Sequence, residues 1–210
     1  DGSSFIKIND VKDSNEVITG KKSKGERVLN PTNKSFSIEA HVFSPEETNE
    51  NQVICQKIED DEFGFSLVLS RSVSVDECKL QFIITSGSSQ AEGEIDFDKG
   101  QFNHICAMYD REVNNIKIYY NSELKAETTD FIEMESISPV SSYMLIGSGT
   151  STKRPSYTTL GNFIPQENFD GYLDELRFFH TARSLDDITM LGKKTIYQDE
   201  DLILYLKLNE

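Results

Sequence analysis

The chain has 210 residues, with 36 acidic against 21 basic side chains, a net charge of −15 and no tryptophan. That balance argues against nucleic acid or anionic membrane as a partner, since both need basic patches, and no run approaches the ~20 apolar residues of a membrane span. Three cysteines, Cys55, Cys78 and Cys106, are too few, and odd in number, for a disulfide-built scaffold, so buried free thiols are the expectation.

Apolar residues recur with period two almost throughout, as half-buried strands require. FIKIN (5–9) opens the series, and in SFSIEAHVF Phe36, Ile38, Ala40 and Val42 share a face. QVICQKI (52–58) follows, then FGFSLVLS with Phe63, Phe65, Leu67 and Leu69 aligned. KLQFIITS aligns Leu80, Phe82 and Ile84, and EIDF (94–97) comes next. In FNHICAMYD, Phe102, His104, Cys106 and Met108 face one way and Asn103, Ile105, Ala107 and Tyr109 the other. After a turn at 110–115, Ile116, Ile118 and Tyr120 alternate, and Asn121-Ser122 turns tightly into ELKAE. This meander has both faces partly covered, as in stacked sheets. YMLIGSG (143–149), YLDELRFF (172–179) and LILYLKL (202–208) bring the total to about a dozen strands.

One segment reads as a helix, near 184–191. Ser184 caps it, Asp187 stands in the capping-box position, and Leu185, Ile188 and Leu191 or Met190 give a short apolar stripe. Loops are expected at 10–34, 44–51 and 150–168. With no repeat and no low-complexity linker, residues 1–210 read as a single all-β domain. The expected architecture is a two-sheet antiparallel β-sandwich with one short helix. The missing initial Met and apolar leader suggest a piece excised from a longer protein.

FNHICAMYD…IKIYYNSELKA resembles the laminin-G-like, concanavalin A-like jelly roll, which writes Trp-His-His-Val-Ala-Val-Thr-Tyr-Asp and then a strand ending in Tyr-x-Asn-Gly. FDGYLDELRFFHTARSLDDI (169–188) resembles that family's Asp-Gly-x-x-Asp-Glu strand running into a short helix. MLIGSG (144–149), SFSIEAHVFSP and DGSSFIKIND resemble its other strands, so the likeness covers nearly the whole chain. It departs in three places: Phe102 stands where Trp is usual, Ser122 replaces the turn glycine, and LILYLKLNE comes last where such a strand more often comes first. The resemblance implies an extracellular or cell-surface setting; an intracellular one is the alternative the odd cysteine count permits. An Asn33-Lys34-Ser35 acceptor has meaning only in the first case.

Candidate chemistry falls in four places. Alternation puts Asp174 with Leu176 and Phe178, opposite to Glu175 and Arg177. A carboxylate on an apolar face must be satisfied, by calcium or by backbone N–H groups or a basic side chain. The resemblance favours a structural Ca²⁺ at Asp174, with Asp170 beside it and Asp1, Asn9 or Asp10 supplying the remainder. In GEIDFD, Glu94, Asp96 and Asp98 share a face, as in the Glu-x-Asp-x-Glu strand of laminarinase-type glycosidases. A retaining hydrolase needs carboxyls roughly 5–5.5 Å apart, and alternate strand positions lie about 6.6–6.8 Å apart. Against this, Asp98 is shorter than the usual acid, Phe102 follows closely, and no Trp offers a sugar platform. His104 and Cys106 read as wall positions of the sandwich rather than a catalytic pair.

The fourth place is an outward face bearing Glu39, His41, Gln81, Asn103, Lys117, Tyr119, Glu175 and Arg177. From it His41, Gln81, Asn103, Tyr119 and Arg177 are the expected ligand-binding set, for a glycan or a protein; the loop at 150–168 is an equal candidate. The function expected is a non-catalytic binding or adhesion module with a structural calcium. The alternatives are an interaction protein without a sugar ligand and a glycoside hydrolase using Glu94 and Asp98.

Overall fold

The computed structural model describes residues 5–11, 27–71, 78–192 and 199–208. In chain order the first strands are β1 (Ile6–Asn9), β2 (Phe36–Phe43), β3 (Gln52–Glu59), β4 (Phe63–Arg71), β5 (Cys78–Ser86), β6 (Ser89–Phe97) and β7 (Phe102–Asp110). Then come β8 (Asn115–Tyr120), β9 (Glu123–Thr128), β10 (Tyr143–Ile146), β11 (Glu167–Asn168), β12 (Tyr172–Phe179), helix α1 (Leu185–Leu191) and β13 (Leu202–Leu206). The first sheet runs β1-β10-β3-β4-β5-β6, with β11 attached to β3; the second runs β13-β12-β2-β7-β8-β9. All pairings along the two sheets are antiparallel, and β11 is parallel to β3 over two residues.

The alternation sets which faces meet. Phe36 and Phe178 from the second sheet and Phe65 and Phe82 from the first are buried together. Their ring centroids lie 5.2 to 5.9 Å from Phe36, and Phe65 stacks on Phe178 at 5.4 Å. Such aromatic pairs add about 0.5–1.5 kcal/mol each beyond area burial. Ile105, Ala107 and Tyr109 face this core from β7 as the pattern requires. Between β8 and β9, Asn121 and Ser122 both have positive φ, 51° and 69°, the twist that tight hairpin turns favour.

At α1, the Ser184 Oγ accepts from the Asp187 backbone N–H at 3.1 Å. Ile188 is buried, but Leu185 and Met190 are exposed, so the expected stripe is narrower than it reads. Three other elements differ from expectation. β6 begins at Ser89, five residues before EIDF. β10 stops at Ile146, where Gly147 with φ 78° turns the chain. The short β11 falls inside the expected 150–168 loop.

The outer face of each sheet is also partly covered. On the first, residues 150–164 cross the sheet, and Phe163 packs with Val53, Val68 and Ile83. This segment is pinned to itself by paired 2.9 Å backbone hydrogen bonds between Thr152 and Phe163. On the second, α1 seats Ile188 on Cys106, Met108 and Tyr119. The sandwich therefore has one main core and two smaller ones outside it.

Candidate functional site

Most of the side chains expected to bind ligand are enclosed. Arg177 is fully buried; its Nη1 donates to Glu39 at 2.7 Å and its Nη2 to Glu175. Glu39, equally buried, also meets His104 Nε2 at 3.1 Å and Arg183 Nε at 3.8 Å. Tyr119 lies beneath α1. Gln81 lies beneath 150–164, where its amide donates to Glu94 at 2.6 Å and its carbonyl accepts from Arg154. Asn103 shares the inward side with Ile105 and ties β7 to the preceding loop, donating to the Asp98 carbonyl at 2.8 Å. The outward, solvated set expected from alternation is thus corrected for Gln81, Asn103, Tyr119 and Arg177. Alternation separates the two faces of a sheet but says nothing of what covers the outer one.

His41 is the exception, and it is half-exposed. Burial, the largest cause, together with His104 and Arg177 holds it below the ordinary histidine value. The shift favours the uncharged imidazole. Its ring lies 5.0 Å from that of His104.

Asp174 is the second correction. Along β12 and β2 the register runs Asp174↔His41 and then Arg177↔Glu39, so two residues of β12 share the space opposite Ala40. This bulge is centred on Glu175, a non-glycine residue at φ 54°, a conformation tolerated only where surroundings enforce it. Glu175 is held there by Arg177 and by the Tyr205 hydroxyl. The extra residue reverses the alternation. Leu173 packs toward the core and Asp174 points outward beside His41, not inward with Leu176 and Phe178.

The donors expected for calcium stand in different settings. Asp174 accepts the Glu175 backbone N–H at 2.9 Å, Asp170 is exposed, and Asp10 is buried in a 2.9 Å pair with Lys57. Among the described residues no group of three His, Cys, Asp or Glu side chains is placed to hold a metal ion. Asp1 lies outside the described residues.

What the bulge does bring together is an aromatic row, exposed at both ends and half-buried at Phe43. Tyr172, Phe43 and Phe102 stand directly opposite one another on β12, β2 and β7. Centroids are 5.5 Å apart at each step, with tilts of 55° and 49°, so the surface is corrugated. Tyr172 is 66% exposed and Phe102 54%. Asp174, His41 and His104 form the next row inward. Gly171 allows β12 to start here, because a Cβ at that position would collide with the Phe43 carbonyl oxygen. Sequence reasoning named His41, Asp170 and Asp174 but missed all three rings as a site. The available signal was that Phe43 and Phe102 end outward-facing series, Glu39-His41-Phe43 and Phe102-His104-Cys106.

The acidic run sits elsewhere. Glu94, Asp96 and Asp98 line a pocket of about 590 Å³ with Tyr120 and Lys79, at the edge where β6 passes β8 and β9. Each carboxylate has a local partner: Gln81 for Glu94, Lys79 for Asp96 and the Tyr120 hydroxyl for Asp98. The carboxyl with a raised pKa is a different one. Burial pushes Glu92 up to about 7, against the pull of Arg154 at 3.7 Å. All three cysteines are free and buried; burial raises Cys55 to about 12 and Cys78 to about 11, and holds Cys106 well above its ordinary value.

Fold and sequence agree on a family. The Laminin_G_3 model of the concanavalin A-like lectin/glucanase superfamily matches residues 13–189, and the chain belongs to that family. No curated protein matches it. Among solved structures it is similar to a Bacteroides ovatus protein described as carbohydrate binding, at 18% identity and a TM-score of 0.62. That match covers 98% of this chain and 49% of the other, so this chain spans about half its length. It is also similar to a heptameric SAP-like pentraxin of Limulus polyphemus (15%, TM-score 0.55, covering 78% and 72%). A third is domain 4 of AbnA, a GH43 extracellular arabinanase of Geobacillus stearothermophilus, in complex with arabinotriose (15%, TM-score 0.52, covering 90% and 88%). At these identities the likeness shows the fold. No helix among the described residues is long and apolar enough to cross a membrane.

Proposed function

We propose that this chain is a non-catalytic carbohydrate-binding module that takes its sugar on the Tyr172–Phe43–Phe102 row. The row itself is the observation that carries the reading. Two exposed rings flanking the half-buried Phe43 on hydrogen-bonded strands make a stiff apolar surface, and stiffness lowers the ordering cost of binding. The Tyr172 hydroxyl, Asp174 and His41 border it with the few polar groups that orient a sugar. The carbohydrate-binding protein and the arabinotriose complex among similar structures support the same class of ligand.

Hydrolysis by Glu94 and Asp98 is the weaker reading. Their carboxylates are engaged locally, and the carboxyl suited by its raised pKa to act as an acid, Glu92, is buried beside Arg154 rather than open to a substrate. The test is a glycan array followed by calorimetry, comparing the protein with a Phe102→Ala/Tyr172→Ala variant. At least one oligosaccharide is expected to bind the protein and to lose affinity tenfold or more in the variant. An array with no hits, or hits indifferent to the two substitutions, would sink the proposal.

A further inference from the structure

The border of the aromatic row carries more acidic than basic charge. Asp174 stands on the row behind the rings, opposite His41, and exposed Asp170 precedes Tyr172 by two residues. Three cations near this face are already engaged. Arg177 is buried against Glu39 and Glu175, and Arg183 is buried with Nη1 on Asp199 at 2.9 Å. Lys99, in the loop before β7, donates to the carbonyls of Glu46 and Thr48. The exposed Lys207 follows β13, and its carbonyl accepts the Glu175 N–H at 3.1 Å, so it stands one strand from Asp174, where it offers a single point charge rather than a fork.

We propose that the row, on the sugar-binding reading above, selects uncharged glycans and rejects those bearing carboxylate or sulfate groups. An anionic sugar stacked on these rings would bring its charge beside Asp174. Recognition of carboxylate or sulfate calls for an arginine fork or a comparable set of charged donors, and the arginines of this face point into the protein. Like charges placed together in this way discriminate by repulsion as well as by missing contacts. The net charge of −15 acts in the same direction on approach. Sugar hydroxyls, in contrast, both donate and accept. A carboxylate acceptor, a phenol and an imidazole match them without any cation.

The experiment is calorimetry at pH 7.5 and 0.15 M salt. Its probes are neutral glucose-, mannose-, galactose-, xylose- and arabinose-based oligosaccharides, oligouronates of equal length, and sulfated counterparts. Each binder is then measured with Asp174→Asn and with the Phe102→Ala/Tyr172→Ala variant. The expected result is that neutral members bind and charged counterparts bind at least tenfold more weakly. Asp174→Asn should narrow that gap, as should 1 M salt, where the screening length falls to about 3 Å. Equal or tighter binding of a charged sugar, lost in the ring variant, overturns the selectivity and leaves the sugar site standing. If no probe binds, the sugar-binding reading fails and the selectivity fails with it.

Discussion

The two outward faces of this sandwich are built by the same alternation and end in different states. The first sheet turns Gln56, Ser66, Gln81 and Glu92 away from the core, and residues 150–164 then cover them. The amide of Gln56 donates to Ser66 and Thr152, and Phe163 closes a small apolar core of its own. The second sheet is covered by α1 over Cys106, Met108 and Tyr119 but left open two rows beyond Cys106, at Tyr172, Phe43 and Phe102. The lesson is that outward does not mean available. Buried polar groups on these faces serve stability, and the part left open is apolar.

This contrast can be tested from its largest effect downward. Arg177→Ala leaves Glu39 buried without its closest partner, and breaking such a pair costs about 3–5 kcal/mol. Chemical denaturation should show a loss of that size; a near-neutral change would mean that Arg177 is not part of a sealed network. Two phenylalanines on the opposed outer faces give the next comparison. Phe163→Ala is expected to cost about 3 kcal/mol or more, as for a buried ring. Phe102→Ala should cost no more than about 1.5 kcal/mol, since chiefly its ring contact with Phe43 is lost. Equal costs would contradict the distinction between closed and open faces.

A smaller effect depends on pH. The folded pKa of Glu92, about 7, lies above its ordinary value of 4.5. The folded state therefore holds the proton more tightly, and this contribution to stability is complete below about pH 4.5. It is lost as pH rises toward 7 and level beyond that, with a slope of at most roughly 1.4 kcal/mol per pH unit. Relative to Glu92→Gln, the protein should lose stability between pH 4.5 and 7. A constant difference across that window would show that Glu92 is hydrated and that 150–164 does not seal it. The last test addresses the structural calcium directly: a bound cation predicts a lower melting temperature in EDTA, because native-state ligands stabilise, and an unchanged one rules it out.

Much of the fold was legible because strands write their faces into the sequence with period two. Phe36, Ile38 and Ala40, or Leu80, Phe82 and Ile84, needed no further information. The resemblance at 102–126 and 169–188 supplied the connectivity that alternation lacks. The site was less legible, for three physical reasons. The bulge at Glu175 reverses the parity of Asp174 through a backbone conformation that no glycine or asparagine announces. Coverage of Gln81 depends on where a distant, irregular segment lies. The aromatic row exists only through register, since Phe43, Phe102 and Tyr172 are 59 and 70 positions apart in the chain and meet because three strands align.

The central claim is that ligand is held where the second sheet is bare. It is tested most directly by two-dimensional NMR of the isotope-labelled protein, titrated with an oligosaccharide identified on the array. The account predicts that amide and aromatic shifts concentrate at residues 41–43, 102–104 and 170–174. Shifts concentrated instead at 79, 94–98 and 120–125 would place the ligand in the acidic edge pocket and contradict it.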